Sequence, residues 1–600
     1  MAIFGTLNNA YSGLSTSQRG VDTTSHNISN AENKDYTRQR VTQETMPSQS
    51  IGGNQIGTGT QISSVERVHN EFIFTRYQQS TERMAFSSTL EQSLTEISSF
   101  FPDMDGVGIK NDLENYYRSW SSLATDPSNV ALKEVLASST ENLAIGIRTS
   151  YEKIDKVQDD LNSEIEANIV EVNASLQEIA SLNSSIFAQE ADGSMANDLR
   201  DKRDALETKL SKLIGAEFTH GNISDSGSDP STIEAEGLYT AIVGGVALVS
   251  GTSYNKLTLD QSSSRDNYST INFKKKDGSL IDMSNVISKG SIGALLDLRG
   301  SKFDSDKLPT DGIIPEIKDN LDTFTKGLIQ HTNSIYAESA STSMSSNSLD
   351  GAKPTDNVME KFGLNEGSFN IVVYNEEGDE VGKRTIYIDE GTSFSDGESS
   401  LISQLTAEYD DNGDGSLTND FGSLFSVATG GDKLSIFQKE GVDFKFGIED
   451  NSSNFAGALG MNRFFDGTDS SNIELNRDIK RRPDDITSFK APVEGDNGVA
   501  DAMSRLETEN WKFGDTDETI LGAYNIFAVD VASKTEQVQL RQETIQVQFD
   551  AIETQLNNIS KVSIDNELVN LMKYQTAYAA SGKVITTLDR MIDTLLGIKQ

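Results

Sequence analysis

The sequence predicts a multidomain α+β protein. Its N- and C-terminal helices are predicted to pair as a coiled coil, with a long α-helical rod domain and two β-rich domains looped out of the middle. Three observations predict this fold class. Apolar residues repeat with coiled-coil spacing at both chain ends, residues 70–215 keep helical spacing with few breakers, and two later regions alternate as strands do. Narrow terminal helices have little core to pack into except each other or neighbouring subunits, so the ends are predicted to do the assembling.

Residues 1–40 and 563–600 are predicted to form a terminal coiled-coil assembly domain. Along each segment, alternate steps of four and three residues meet apolar or small side chains, the pattern of one side of a coiled-coil helix. Tyrosines at this spacing are interpreted as packing residues rather than as a binding box. The predicted assembly seam consists of Ile3, Leu7, Leu14, Val21, Ile28, Leu571, Tyr574, Tyr578, Ile585, Leu588, Ile592 and Leu595, with the small residues Ala10, Ser17, Thr24 and Ser581 between them.

A mainly helical rod domain is predicted from residues 41–216, 300–345 and 500–562. Its longest stretch has almost no proline, and Pro127 or Ser128 is predicted near the start of a new helix. A later helix follows Pro315 and carries His331 on its apolar stripe, where a packed histidine is expected rather than a ligand. Another helix is predicted over Thr519–Ser560, with a break at 560–563 before the terminal helix.

Two β-rich domains are predicted, at 217–299 and at 355–499. In the first, Gly244-Gly245 separates two β-type runs, and two glycines there indicate a two-residue hairpin because type I′ turns need positive φ at both positions. Gly221–Ser231 is predicted to be a loop, and the Ser/Thr-rich stretch Glu338–Asn357 a linker.

Composition limits the function classes. The net charge is -41, which disfavours nucleic acid and anionic membrane surfaces as partners because their phosphates would be repelled. Cysteine is absent, so disulfides, thiolate metal sites and cysteine nucleophiles are excluded. No apolar run approaches the ~20 residues that span a bilayer. The first residues lack the features of a secretory signal peptide, so we expect a cytoplasmic chain or export by another route.

Catalytic chemistry is not expected. The four histidines are scattered, and none belongs to a metal-binding or catalytic cluster. No nucleophile elbow, phosphate-binding loop or dinucleotide-binding fingerprint is present. The chain is therefore predicted not to be an enzyme and to need no cofactor, apart from one candidate calcium loop.

The candidate calcium loop runs from Asp410 to Phe421. Asp410, Asn412 and Asp414 occupy positions 1, 3 and 5 of an EF-hand loop, which ordinarily supply oxygen ligands. Position 12 should be a bidentate glutamate, but Phe421 stands there. The alternative interpretation is an acidic, glycine-rich turn between a helix and a strand.

Motifs at both ends resemble those of the bacterial flagellar rod, hook and hook-associated proteins. The N-terminal motif is Ser25-x-Asn27-Ile28-x-Asn30-Ala31, followed by Tyr36-Thr37-Arg38-Gln39-Arg40-Val41. The C-terminal motif begins at Glu567-Leu568 and continues through Tyr574-Gln575-x-x-Tyr578. Interior stretches, such as Asp198–Asp204, are similar to the hook-associated members of the family. The sequence departs from the family at Lys34-Asp35, where Pro-Gly is usual.

The resemblance implies an extracellular structural protein of the flagellum, exported unfolded through the flagellar type III apparatus. It also implies helical self-association at the junction between hook and filament. The implied partners are hook protein, hook-associated protein 3 and an export chaperone that binds the C-terminal helix. Two alternatives stay open on the residues alone: another axial protein of the hook or distal rod, or a secreted acidic surface adhesin.

Overall fold

The structure is a computed structural model that describes residues 2–51, 54–102, 106–191, 194–220, 239–275, 278–514 and 516–597. The chain divides into two compact units. Unit 1 contains Met1–Gln92, Asp159–Ile313 and Gln537–Gln600, and unit 2 contains Ser93–Gln158 and Ile314–Glu536. The predicted domain 41–216 therefore contributes residues to both units, whereas the other predicted boundaries stay predictions.

Helices account for both chain ends and for the long middle stretch, as predicted. Their bounds are α1 (Ala2–Ser29), α2 (Glu71–Ser98), α3 (Gly108–Thr125), α4 (Val130–Glu190), α5 (Asn197–Ile214), α6 (Gly290–Arg299), α7 (Ile313–Tyr336), α8 (Val358–Phe362), α9 (Leu401–Thr406), α10 (Phe421–Leu424), α11 (Phe455–Leu459), α12 (Arg477–Arg481), α13 (Gly498–Arg505), α14 (Ile520–Ser560) and α15 (Ile564–Gly597).

The predicted break at 560–563 is confirmed, because α14 ends at Ser560 and α15 begins at Ile564. Helix α4 begins at Val130, two to three residues later than predicted. Asn129 explains the delay, since its side-chain Oδ1 accepts a hydrogen bond from the Ala131 amide at 3.1 Å, as a capping residue does.

Unit 1 contains small antiparallel sheets. β1 pairs with β4, β2 pairs with β3, β5–β8 form a four-stranded sheet, and β9–β11 form a three-stranded sheet. The strands are β1 (Gln39–Thr45), β2 (Gln49–Ile51), β3 (Asn54–Ile56), β4 (Thr60–Arg67), β5 (Glu217–Thr219), β6 (Thr240–Val243), β7 (Val246–Ser250), β8 (Ser253–Tyr254), β9 (Leu257–Asp260), β10 (Thr270–Lys274) and β11 (Leu280–Asp282).

The predicted glycine hairpin is confirmed. Val243 pairs with Val246, and Gly244 and Gly245 have φ angles of 54° and 81° between the two strands. Both angles lie where residues with a Cβ are strained, so this turn needs its glycines. The predicted loop Gly221–Ser231 lies outside the described residues.

Unit 2 contains two three-stranded sheets that share one hydrophobic core. The strand orders are β12–β16–β15 and β14–β13–β17, and two hairpins complete the unit. The strands are β12 (Ser343–Ser345), β13 (Gly367–Tyr374), β14 (Glu380–Ile388), β15 (Phe425–Gly430), β16 (Lys433–Gln438), β17 (Lys445–Asn451), β18 (Phe465–Asp466), β19 (Glu474–Leu475), β20 (Trp511–Phe513) and β21 (Thr516–Glu518).

The central strand β13 is buried on both faces. Phe369, Ile371 and Val373 point into the shared core, whereas Val372 and Tyr374 pack against Phe489 and Ala491. A strand that is buried on both faces has a nearly continuous apolar sequence, as in Ile371-Val372-Val373-Tyr374 of β13.

The prediction of a linker at Glu338–Asn357 is wrong. This segment contains β12, whose Met344 is 2% exposed and lies in the core of unit 2. Ser346 hydrogen-bonds through its backbone and its hydroxyl to the backbone of Leu434. The many serines give this segment the composition of a linker. In the structure, hydroxyls such as those of Ser341 and Ser346 form hydrogen bonds with backbone groups at the edge of the sheet.

Candidate assembly interface

Helices α1 and α15 lie side by side and antiparallel in unit 1. A Cβ added to Gly20 would lie 2.6 Å from the Tyr574 ring, and one added to Gly13 would lie 3.1 Å from Ser581 Oγ. One heptad further along, Asn27 Nδ2 donates to Glu567 Oε2 at 3.2 Å. The contacts recur every seven residues along both helices and in opposite directions, which fixes the register.

The large apolar residues of the predicted seam flank these contacts. Leu588 is buried at 6% exposure, whereas Tyr578 is exposed at 42%. Ile3 and Leu595 lie outside the described side chains. The remaining seam residues are half-buried: Leu7, Leu14, Val21, Ile28, Leu571, Tyr574, Ile585 and Ile592.

Small and hydroxylic residues occupy the buried face of α1. Gly20 is buried beneath the Tyr574 ring, and the hydroxyl of Thr24 donates to the Gly20 carbonyl of its own helix at 2.8 Å. Because these hydroxyls are satisfied internally, the face costs little to bury and lets α15 approach closely. Sequence reasoning gave weight to the leucines and did not use the glycines; the heptad spacing of Gly13 and Gly20 was the available signal.

The N-terminal motif forms a buried polar junction at one end of the helix pair. Asn27 is 1% exposed, and its Oδ1 accepts hydrogen bonds from the Gln39 amide at 2.9 Å and from the Tyr36 hydroxyl at 2.8 Å. Its Nδ2 donates to the Gln39 carbonyl at 2.9 Å. Glu567, which Asn27 also contacts, forms an ion pair with Arg38 at 2.7 Å. This junction ties α1, the start of β1 and the first turn of α15 together.

Helix α5 holds the same junction from the other side through its acidic residues. Asp201 accepts from the Thr37 amide at 3.0 Å and from Arg67 at 2.8 Å, and Asp204 accepts from Arg67 at 2.6 Å. Burial, together with the Asp198, Asp201 and Glu567 carboxylates, raises the pKa of Tyr36 well above its ordinary value. The phenol therefore stays a neutral donor to Asn27.

The departure at Lys34-Asp35 does not interrupt this junction. The Asp35 amide donates to Asn33 Oδ1 at 3.1 Å, which closes an Asx turn in place of the usual Pro-Gly. Lys561 Nζ donates to the Lys34 carbonyl at 2.5 Å and the Arg38 amide donates to the Ser560 carbonyl at 2.8 Å. The turn is therefore attached to the end of α14.

A chain of buried charges continues from α5 into the neighbouring sheet. Glu207 is fully buried and accepts from His220 Nε2 at 2.9 Å and from the Tyr239 hydroxyl at 3.1 Å. Burial alone would lower the pKa of His220, but the Glu207 carboxylate and a hydrogen bond to Glu71 raise it to about 10. Sequence reasoning treated His220 as a scattered histidine, and only the fold brings it to these carboxylates.

Apolar side chains remain exposed along α15 and at the start of α1. Met572 is 59% exposed and Leu596 64% exposed, although α1 is already in place. The other exposed members of this set, which we call the uncovered apolar set, are Ile564, Leu568, Val569, Tyr578, Val584 and Met591 on α15 and Phe4 and Tyr11 on α1. A helix that stays apolar on its outer surface is equipped to bind a further apolar surface.

The described residues offer neither a metal centre nor a membrane span. Across the described ranges, no three or more histidine, aspartate or glutamate side chains converge as ligands for a metal ion. Of the helices that the structure describes, none combines the length and the apolar character that crossing a bilayer requires.

The predicted calcium ligands lie in an exposed turn of unit 2. Asp410 Oδ1 accepts from the Gly413 amide at 2.6 Å, and its Oδ2 accepts from the Gly415 amide at 2.8 Å. Asn412 Nδ2 donates to the Val381 carbonyl, and Asp414 Oδ1 accepts from the Ser416 amide. The side chains thus satisfy the backbone of the turn, and calcium binding here stays a prediction.

The adjacent residue Asp411 has a role that sequence reasoning missed. Its carboxylate pairs with Arg384 of β14 through two hydrogen bonds of 3.0 and 3.1 Å, with both side chains almost fully buried. The guanidinium carbon lies 4.6 Å from the ring centroid of Tyr409 and 5.1 Å from that of Phe421. This buried ion pair therefore anchors the acidic loop to β14.

Comparisons with known proteins find flagellar proteins of similar sequence. The family model described as the flagellar hook-associated protein FlgK helical domain matches residues 94–346, and that of the flagellar basal body rod FlgEFG protein C-terminal region matches residues 555–598. The chain is 24% identical to flagellar hook-associated protein 1 of Salmonella typhimurium, with 99% of each chain covered. It is 21% identical to the protein of that name from Escherichia coli K12, again over 99% of each.

The flagellar hook junction protein FlgK from Burkholderia pseudomallei is a similar solved structure, with 13% identity and a TM-score of 0.48, covering 82% of this chain and all of that one. The C-terminal match is to a region named for rod proteins, whereas the longer match is to a domain named for the hook-associated protein. The relatives that are similar over the full length are also hook-associated proteins, as in the longer of the two family matches. Over nearly its whole length the chain is therefore similar to proteins named flagellar hook-associated protein 1.

Proposed function

We propose that this chain is a subunit of the junction between hook and filament, and that it assembles helically through α1 and α15. The observation that carries this proposal is the uncovered apolar set, which persists after α1 has covered one side of α15. A neighbouring copy that packs against α15 would remove these side chains from water. Pairing of α1 with α15 as a coiled coil is part of the proposal.

The energetics favour such packing. Fully burying a large apolar side chain contributes about 1.5–3 kcal/mol, so burial of the uncovered apolar set as a whole can outweigh the free-energy cost of association. A surface on α15 that meets a different surface of the next copy makes a head-to-tail contact. Contacts of this kind generate rings where the rotation between copies closes, and tubes or filaments where it does not.

The partners follow from the place in the flagellum that we propose. Hook protein would lie on one side of the junction and hook-associated protein 3 on the other, and an export chaperone would cover α15 before assembly. The mature protein would lie outside the cell after export through the flagellar type III apparatus. A chain without cysteine supports this route, because no disulfide can form before it is threaded as an unfolded chain.

Leu588→Asp tests the proposal. Leu588 is the most buried large apolar residue described on the seam, so a charge there should remove nearly all incorporation into sheared hooks and filaments. Thr587→Asp places the same charge on the exposed neighbour and should leave incorporation intact. Normal incorporation of the Leu588 variant would refute the proposal that the seam residues drive assembly.

Immunogold labelling with antibody to residues 355–499 tests the location in the same strains. We expect one band at the distal end of the hook. Label along the whole hook would indicate that the chain is a hook protein, and label over the cell surface would indicate that it is an adhesin.

A further inference from the structure

A second surface of unit 1 is basic, in a chain whose net charge is -41. A groove between α2 and α14 consists of two hollows of about 320 and 390 Å³, which share Arg83, Ile545 and Gln548. Arg76 lines one hollow and Arg541 the other. We call this surface the arginine groove.

The three arginines of this groove are exposed. Within the part of the chain that the structure describes, none of the three guanidinium groups lies within 4.0 Å of a carboxylate oxygen. Arg76 instead lies over the ring of Phe72, itself 70% exposed, at 5.8 Å. Among the described residues that line the groove, Glu82 has the one carboxylate. The groove is thus a net positive surface in an acidic protein.

A matching acidic surface runs along α4 of the same unit. Glu164, Glu171 and Glu178 are exposed and recur every seven residues, with the exposed alanines 167 and 174 between them. Glu171 forms an ion pair with Lys209 at 2.6 Å, whereas Glu164 and Glu178 have no cation within 4.0 Å among the described residues. We call this surface the glutamate stripe. Its small alanines leave room for another helix to approach.

The spacings of the two surfaces agree. Arg76 and Arg83 are seven residues apart on α2, as successive glutamates are on α4. Seven residues of helix extend about 10.5 Å, so two arginines can meet two successive glutamates at once. Both surfaces face solvent in one copy, so the contact fits between two copies.

We infer that the arginine groove binds the glutamate stripe of a second copy of this chain. The inference rests on the proposed function, because it names a lateral contact of that assembly outside the terminal helices. The groove and the stripe are different surfaces, so each copy binds one neighbour through its arginine groove and another through its glutamate stripe. This contact is head-to-tail, like the one proposed for α15. Its charges select the neighbour and its register rather than supplying most of the affinity.

Charge reversal tests the contact in the full chain. Arg76→Glu with Arg83→Glu should lower incorporation into sheared flagella about tenfold, and so should Glu164→Lys with Glu171→Lys. The four substitutions together should restore incorporation to within about twofold of the parent, since the pairing is then re-formed with opposite signs. A four-site variant no better than either double variant overturns the inference.

The matched control reverses two other exposed cations of unit 1, Lys256→Glu with Arg265→Glu. This variant changes the net charge by the same amount as the groove variant and should incorporate normally. All variants should retain the parent's thermal melting curve by circular dichroism, so that a folding defect is detected separately. Loss of incorporation in the control as well would show that net charge alone acts, which overturns the inference.

Cross-linking supplies a second readout, because the chain has no cysteine of its own. Cells that produce Arg83→Cys and Glu171→Cys copies together should give disulfide-linked dimers in isolated hooks, whereas either variant alone should not. Leu588→Asp distinguishes the two proposals. If it still assembles, the seam is wrong; if it fails but the groove variants assemble and the mixed cysteines do not cross-link, the groove alone is wrong.

Discussion

At the scale of single residues, buried ion pairs decide where the irregular segments lie. Arg384 and Asp411 are removed from water together, and the pair connects β14 of unit 2 to the acidic loop, beside one exposed hydrogen bond from Asn412 to the Val381 carbonyl. Asn27 acts similarly in unit 1, where one amide meets four hydrogen-bonding groups, from β1, from α15 and from the connection that precedes β1. Each such residue is costly to replace, because its partners stay buried after it is removed.

We expect Asp411→Asn to lower the free energy of unfolding by about 3–5 kcal/mol, because a buried guanidinium would lose its counter-charge. Urea denaturation, followed by the fluorescence of unit 2, measures the change. Asp414→Asn is the matched control, since Asp414 is exposed in the same loop and lacks a buried cation. Equal effects of the two substitutions would show that the Arg384 pair is not what anchors the loop.

At the scale of elements, the terminal helices pair through glycines rather than through leucines alone. The Tyr574 ring occupies the space that a side chain at position 20 would need, so these helices approach closely at one layer of their contact. The half-buried leucines then flank the contact and remain partly available to neighbours. One helix face thus serves both the pair and the assembly.

We expect Gly20→Ala to loosen the helix pair, because the new Cβ would lie 2.6 Å from the Tyr574 ring. Hydrogen exchange of α15 should accelerate about tenfold or more, and incorporation into flagella should fall. Gly5→Ala is the control in the same helix, since a Cβ there meets nothing within 4 Å and alanine favours helix. Unchanged exchange in the Gly20 variant would contradict the close approach.

At the scale of the whole molecule, the C-terminal helix contacts the N-terminal motif, more than 500 residues earlier in the chain. Glu567 of α15 contacts Asn27 and Arg38, so the N-terminal motif is complete only when the C-terminal helix is present. Among the described residues, Ala10 and Leu588 are the buried apolar residues that α1 and α15 contribute, and the other buried apolar residues lie in the rest of the chain. We therefore expect the ends to be separable in energy from the middle.

Limited proteolysis of the purified monomer tests this separation. We expect α1 and α15 to be cut first, with a resistant fragment that retains the middle of the chain, because the terminal pair buries few large apolar residues by itself. Mass mapping of the fragment gives the cut sites. Resistance of both ends at a protease level that cuts loops of the middle would show that the pair is already stable in the free subunit.

Much of the local structure was determined by the sequence alone. Helical spacing predicted both ends and the break before α15, and two glycines predicted the hairpin at 244–245. The terminal motifs indicated a resemblance to flagellar rod, hook and hook-associated proteins. These features depend on neighbours within a few residues, whose spacing and backbone preferences are present in the chain itself.

The tertiary structure alone decided the register of α1 against α15, the partner of Arg384 and the place of the serine-rich strand β12. Heptad spacing defines a helix face but does not select which layer of a distant helix it meets. That choice depends on fit, here a tyrosine ring over a glycine, between residues more than 500 positions apart. Burial of one charge likewise depends on a counter-charge that only the fold brings near.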